Sequence, residues 1–182
     1  MLTQAADKGH ASAQLYLAQI YRSGDADLAV LADAAKAAVY LDKAATQKQP
    51  DALFALGDMH LHGTDGRERD LTKALAFFEA AGDAGSADAL CSAGAMYYNG
   101  VGVPSNFERA FELYQRAAEQ NSLPALRNLA AMYVEGKGTP QSIDMGVYLW
   151  KVVQRLEQQQ QQQPQSAAAA GPSQSTEPES AK

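Results

Sequence analysis

The chain has 182 residues, 46% hydrophobic and 20% charged, enough for one domain or a short repeat array with a buried core. Its 15 Lys and Arg against 21 Asp and Glu give a net charge of −6, which argues against a binder of duplex nucleic acid working by phosphate neutralisation. The single cysteine excludes a disulfide framework and a CxxC zinc site, and no apolar run reaches the roughly 18 residues of a membrane-spanning helix.

The first residues, Met1 to Ala6, lack the apolar stretch of a signal peptide. From residue 11 to 157, Val and Ile are sparse, Ala and Leu abundant, and apolar residues recur every three or four. That spacing predicts an all-helical chain. A first helix runs from near Ala13 to Gly24, and Asp33 opens a second after a longer loop. The pairing repeats from Ala52 to Gly63 and from Asp70, from Ala89 to Gly100 and from Asn106, and from Ala125 to Gly136 and from Ser142. Six glutamines follow at 158–163, then a Pro-, Ala- and Ser-rich stretch without the apolar residues needed to offset ordering entropy. Residues 158–182 are therefore expected to be a disordered tail.

Laying the chain on itself gives four units at shifts of 36–39 residues. They lie near 13–48, 52–85, 89–121 and 125–157, preceded at 1–9 by the end of a truncated unit. Gly24, Gly63, Gly100 and Gly136 share the position that ends helix A, where positive φ suits glycine. Asp33, Asp70, Asn106 and Ser142 share the position that opens helix B, and all four can accept a bond from a free N–H of the first turn. Gly9, Lys48, Gly85 and Asn121 share the turn into the next helix A, and three of the four suit a left-handed cap. Paired small residues such as Ala44-Ala45 and Ala117-Ala118 allow close helix approach. Tyr16, Leu17, Leu56, Met59, Met96, Tyr97, Leu129, Met132 and Tyr133 are expected to pack against them. No unit can bury its apolar face alone, so stability comes from stacking.

The third unit carries Ala89, Gly94, Met96, Tyr97, Gly100-x-Gly102-Val103-Pro104, Asn106, Ala110, Tyr114 and Ala117-Ala118. This pattern resembles the Sel-1-like repeat, a relative of the tetratricopeptide repeat, over about residues 5–155. The fourth unit matches through Gly136-x-Gly138-x-Pro140. The second lacks the proline around Asp65-Gly66-Arg67, and the first carries an insertion from Asp25 to Ala32. The resemblance implies an α/α solenoid that scaffolds protein complexes without catalysis. At the far end the paired small residues become Val152-Val153, with Trp150 ahead of them, and this bulk is expected to obstruct a following helix, so that the last unit caps the array. The start, inside a unit, suggests a fragment whose uncovered first face could self-associate.

Several residues invite chemical readings. His60 and His62 with Asp58 and Asp65 suggest a metal, but His-x-His on a helix turns the rings about 200° apart, and His60 fills the slot of Tyr21, Tyr97 and Tyr133. It reads as a core or helix-end residue, so no metal site is assigned. Cys91 reads as a buried or groove-lining thiol. Gly100-Val101-Gly102 follows a helix, whereas a dinucleotide loop follows a strand. No catalytic residue or cofactor is assigned.

The resemblance implies that helix A lines the concave face of the solenoid. Positions there that vary between units are Leu15, Gln19 and Arg22; Phe54, Asp58 and Leu61; Cys91, Ala95 and Tyr98; Arg127, Ala131 and Val134. Their mixed chemistry suits a partner peptide or helix in a groove. Gln19, Arg22, Asp58, Leu61, Tyr98 and Arg127 are the candidate contacts. The expected function is a protein-interaction scaffold, with a regulatory subunit of degradation or signalling machinery as the alternative. Two arginines beside Asp58 are too few for an RNA-binding face. Location is not legible, with the cytoplasm as the default.

Overall fold

A computed structural model describes residues 2–28 and 30–162. The helices run in chain order: α1 (Leu2–Asp7), α2 (Ala11–Ser23), α3 (Ala34–Thr46), α4 (Pro50–His62), α5 (Leu71–Asp83), α6 (Ala87–Asn99), α7 (Phe107–Ala118), α8 (Leu123–Glu135) and α9 (Ile143–Gln162). Every contact of substance joins a helix to its predecessor or successor, closest within the pairs α2–α3, α4–α5, α6–α7 and α8–α9. This is the neighbour-only packing of an α/α solenoid.

The predicted caps form. Side chains of Asp33, Asp70 and Asn106 accept from the backbone N–H three residues on, at 3.0, 2.9 and 2.8 Å, and Ser142 Oγ accepts from Met145 at 3.3 Å. Gly24, Gly63, Gly100 and Gly136 end the A helices at φ of 73°, 70°, 69° and 69°. At the B-to-A turns all four residues are left-handed, including Lys48 at φ 57°. The turn geometry thus holds even where the side chain disfavours it.

Within a unit, small residues of helix A receive large ones of helix B. A Cβ on Gly57 would lie 2.7 Å from the Phe78 ring, and one on Gly94 would lie 2.8 Å from Tyr114. Phe78 and Tyr114 are accordingly buried. The first unit's longer loop closes on itself, with Asp25 and Val30 exchanging two backbone bonds of 2.8 Å.

Two expectations need correction. Tyr16 is 53% exposed, outside the core. Its counterparts Ala55 and Asn128 face the preceding helix pair, whereas only the six-residue α1 is described before α2. In the last unit Val153 turns inward, while Ile143, Val147 and Trp150 stay 61%, 45% and 45% exposed. Finally, α9 continues through Gln162, past the boundary expected at 158. Glutamine is a good helix former, and the helix carries on from an established face. The disorder expected for the rest of the tail concerns residues 163–182, outside the described residues.

Candidate partner-binding surface

The four A helices, α2, α4, α6 and α8, supply the candidate residues. Gln19, Arg22, Asp58 and Arg127 are exposed, and Leu61 and Tyr98 are half-buried. The residues one step round each helix go into the core: Leu17 and Ala18, Leu53 and Leu56, Ala93 and Met96, Leu126 and Leu129. One face of each A helix is thus used for stacking, and the stripe beside it is exposed in part on α2, α4 and α8 and half-buried on α6.

Two depressions interrupt the stripe, each at a unit junction. One, of about 120 Å³ and open to solvent, lies between α2, α3 and α4 and includes Leu15, Gln19 and Arg22. The other, of about 150 Å³, lies between α6, α7 and α8 and includes Tyr98 and Ala131. Asp58, Leu61 and Arg127 line neither.

Tyr98 is held on several sides. Its ring meets Phe107 edge-on at 5.1 Å. Its hydroxyl donates to Glu135 at 2.9 Å and accepts from Lys137 Nζ at 3.0 Å, and Lys137 pairs with Glu135 at 2.8 Å. The Lys137 ammonium, hydrogen-bonded to it, and then the Tyr98 hydroxyl hold the Glu135 carboxyl below the usual carboxylate range. The hydrogen bonds of Lys137 to the Glu135 carboxylate and then to the Tyr98 hydroxyl raise its ammonium. This exposed cluster joins the ends of α6 and α8. Arg127 pairs with Glu157 of α9, and Asp58 pairs with His62 at 3.1 Å. Arg22 makes no side-chain hydrogen bond or ion pair among the described residues.

The two histidines point to different neighbours. The His60 ring stacks on Phe77 at 5.6 Å, and its Nδ1 donates to the Glu68 carbonyl at 3.1 Å. Burial pushes the Cys91 thiol up, and its Sγ lies 3.4 Å from Ser122 Oγ. Burial also pushes the Tyr114 phenol up to about 12 beneath the depression between α6, α7 and α8.

Sequence reasoning missed Lys137 and Glu135 as partners of Tyr98. It also missed Ala34, Ala38, Asp65 and Arg67, which line the cleft between α2, α3 and α4. The signal for the cleft was present: Ala34 and Ala38 stand where the next two units have Leu71 and Leu75, then Phe107 and Phe111.

Comparison with known proteins completes the picture. Residues 11–48, 50–86, 87–122 and 123–151 each match the model of the Sel1 repeat. The crystal structure of c5321, described as a protective antigen of uropathogenic Escherichia coli displaying an SLR fold, superposes at a TM-score of 0.79 and 26% identity, covering 85% of this chain and 32% of that one. A Sel1 repeat protein from Oxalobacter formigenes superposes at 0.77 and 28% identity, covering 85% of this chain and 62% of that one. This chain therefore spans about a third and about three-fifths of those two proteins' lengths. An immunity protein of Pseudomonas aeruginosa, Pa5087, shares the fold at a TM-score of 0.50 and 21% identity. No curated protein matches the chain in sequence. Sel1 repeats generally mediate protein–protein interaction and are typically non-catalytic scaffolds. With four matched repeats covering most of its length, the chain belongs to the Sel1 repeat family.

Proposed function

We propose that this chain is a non-catalytic adaptor that holds a partner protein, presented as a peptide or helix, along the concave face formed by α2, α4, α6 and α8. One observation carries the reading. The stripe that varies between units carries exposed residues on α2, α4 and α8 and half-buried ones on α6, and the two depressions fall on it at unit junctions. A stacked core needs similar residues in each unit, whereas a binding surface needs different ones. Gln19, Arg22, Asp58, Leu61, Tyr98 and Arg127 are its contact residues, and the mixture of one aromatic, one aliphatic and several charged groups fits recognition in a groove.

The test is site-specific photocrosslinking from cells producing the chain. A photoreactive residue at Gln19, Asp58 or Arg127 is expected to capture the same partner, and one at Gln115 or Lys151 on the B helices to capture none. Tyr98→Ala combined with Arg127→Glu is expected to weaken capture through Gln19 while far-ultraviolet circular dichroism is retained. Capture only from the B-helix positions would overturn the reading.

A further inference from the structure

We propose that the cleft between the first and second units receives two large apolar side chains, four residues apart on a helix of the partner, with a carboxylate of that helix on Arg22. The proposal rests on the adaptor reading and specifies its occupant.

The other junctions show how such a site is normally filled. The loop after α6 descends onto the start of α5, where a Cβ on Gly102 would lie 2.6 Å from Leu71 Cβ. The loop after α8 descends likewise onto α7, where a Cβ on Gly138 would collide with the Phe107 backbone. At both junctions the first residue of helix B is large, and so is the residue one turn later: Leu71 and Leu75, Phe107 and Phe111. All four are packed into or against the core.

The first junction departs on both sides of this contact. Its helix B offers Ala34 and Ala38 instead. The loop after α4 places Asp65, at φ 52°, in the slot held by Gly102 and Gly138 at 76° and 67°. A side chain in that slot cannot descend onto helix B. The loop is also one residue longer, and a Cβ on its Gly66 would meet nothing within 4 Å. The loop therefore stands away, and a solvent-open cleft is left where two large side chains sit in the later units, floored by Ala18, Leu41, Ala55 and Met59.

The missing atoms define the ligand. Two leucine- or phenylalanine-sized groups at i and i+4 replace what Ala34 and Ala38 lack, and a helix presents that spacing on one face. Of the two arginines lining the cleft, Arg67 is paired with Asp42 at 2.6 Å, whereas Arg22 has no partner among the described residues. A carboxylate on the incoming helix complements Arg22. Asp51 and Asp65 on the rim, with the net charge of −6, disfavour a partner that is acidic throughout. Residues 163–182 contain no Leu, Ile, Val, Met, Phe, Tyr or Trp, so the chain's own tail cannot supply the two groups.

The test uses the full chain and fluorescein-labelled synthetic helices in an Ala/Lys/Gln host, read by anisotropy. One pair of probes carries two leucines four apart, with a glutamate one turn before or one turn after them. Control probes have both leucines as alanine, or the glutamate as lysine. A leucine probe is expected to bind about tenfold or more tighter than its alanine control. Ala34→Leu with Ala38→Leu, which restores the residue size of the other units, is expected to abolish that difference without lowering the melting temperature. Arg22→Glu, away from the core, is expected to reverse the preference for glutamate over lysine. Equal binding of leucine and alanine probes overturns the proposal, as does unchanged binding to the filled variant. A wild-type dimer that becomes monomeric on filling also overturns it, by making a second copy the occupant. If filling leaves partner capture intact while Tyr98→Ala with Arg127→Glu removes it, the cleft assignment falls and the adaptor reading stands.

Discussion

Gly102 stands so close over Leu71 that a Cβ on the glycine would lie 2.6 Å from the leucine Cβ. The contact locks the third unit onto the second through a loop as well as through helices. Gly102→Ala must both hold a side chain at φ 76° and push Leu71 aside. We expect a loss of about 2–4 kcal/mol, combining left-handed strain with overpacking. Gly66 has the same φ of 76° with nothing within 4 Å of its Cβ position. Gly66→Ala should therefore cost only the backbone part, about 1 kcal/mol. Urea unfolding of both variants separates the two contributions, and equal losses would show that the loop contact is not structural.

Lys48 is strained where its counterparts Gly9 and Gly85 are not. At φ 57° its Cβ crowds the backbone, and Lys48→Gly removes that cost. Extra freedom in the unfolded chain offsets part of the gain. The expected net is a stabilisation of about 0.5–1 kcal/mol, measurable as a rise in the urea midpoint with unchanged slope.

The cap residues predict an acid response that differs between helices. Backbone and side-chain hydrogen bonds from Lys36 hold the Asp33 carboxyl below its ordinary value of 3.8, and Lys73 does the same for Asp70. Because the folded-state values are depressed, the stabilisation is present above the unfolded value and fades as pH falls through the folded one. Asn106 caps α7 at the same repeat position without titrating. Below pH 3.8, hydrogen exchange should quicken at the starts of α3 and α5 before it does so at the start of α7. Asp33→Asn and Asp70→Asn should erase that difference.

Cys91 offers a check on core access. Burial raises its thiol, and the Ser122 hydroxyl offsets part of that rise. Reaction with a disulfide reagent at pH 8 should be slower than for a free thiol and should recover the free-thiol rate in denaturant. A fast native reaction would mean that α6 and α8 part readily.

The repeat period, the glycine stops and the B-helix caps were legible because each is a local demand that recurs four times. Asp33, Asp70, Asn106 and Ser142 are of three residue types, yet one geometry explains all four. The accessible stripe was legible for a similar reason, as residues adjacent on the helix to a recurring core must lie beside it. What was not legible depends on neighbours along the stack. Tyr16 looked like core because aromatic residues usually are, and only the short α1 leaves it exposed. How far Trp150 is buried depends on which way α9 turns its bulk. The Tyr98–Glu135–Lys137 cluster joins residues 37 and 39 positions apart, about one repeat, and spacing alone does not orient side chains across that distance. The cleft required comparing two positions at once, the small Ala34 and the side chain of Asp65, where either change alone would leave the loop partly seated.

The loop that fails to seat at the first junction also makes the array mechanically uneven. Loop and helix together brace the later units against one another, while the loop at the leading pair reaches α3 through the Arg67–Asp42 ion pair in place of a seated backbone. Stretched from its ends, the molecule should shed α2 and α3 first as a discrete step in a force trace, with α4 to α9 yielding afterwards at higher load.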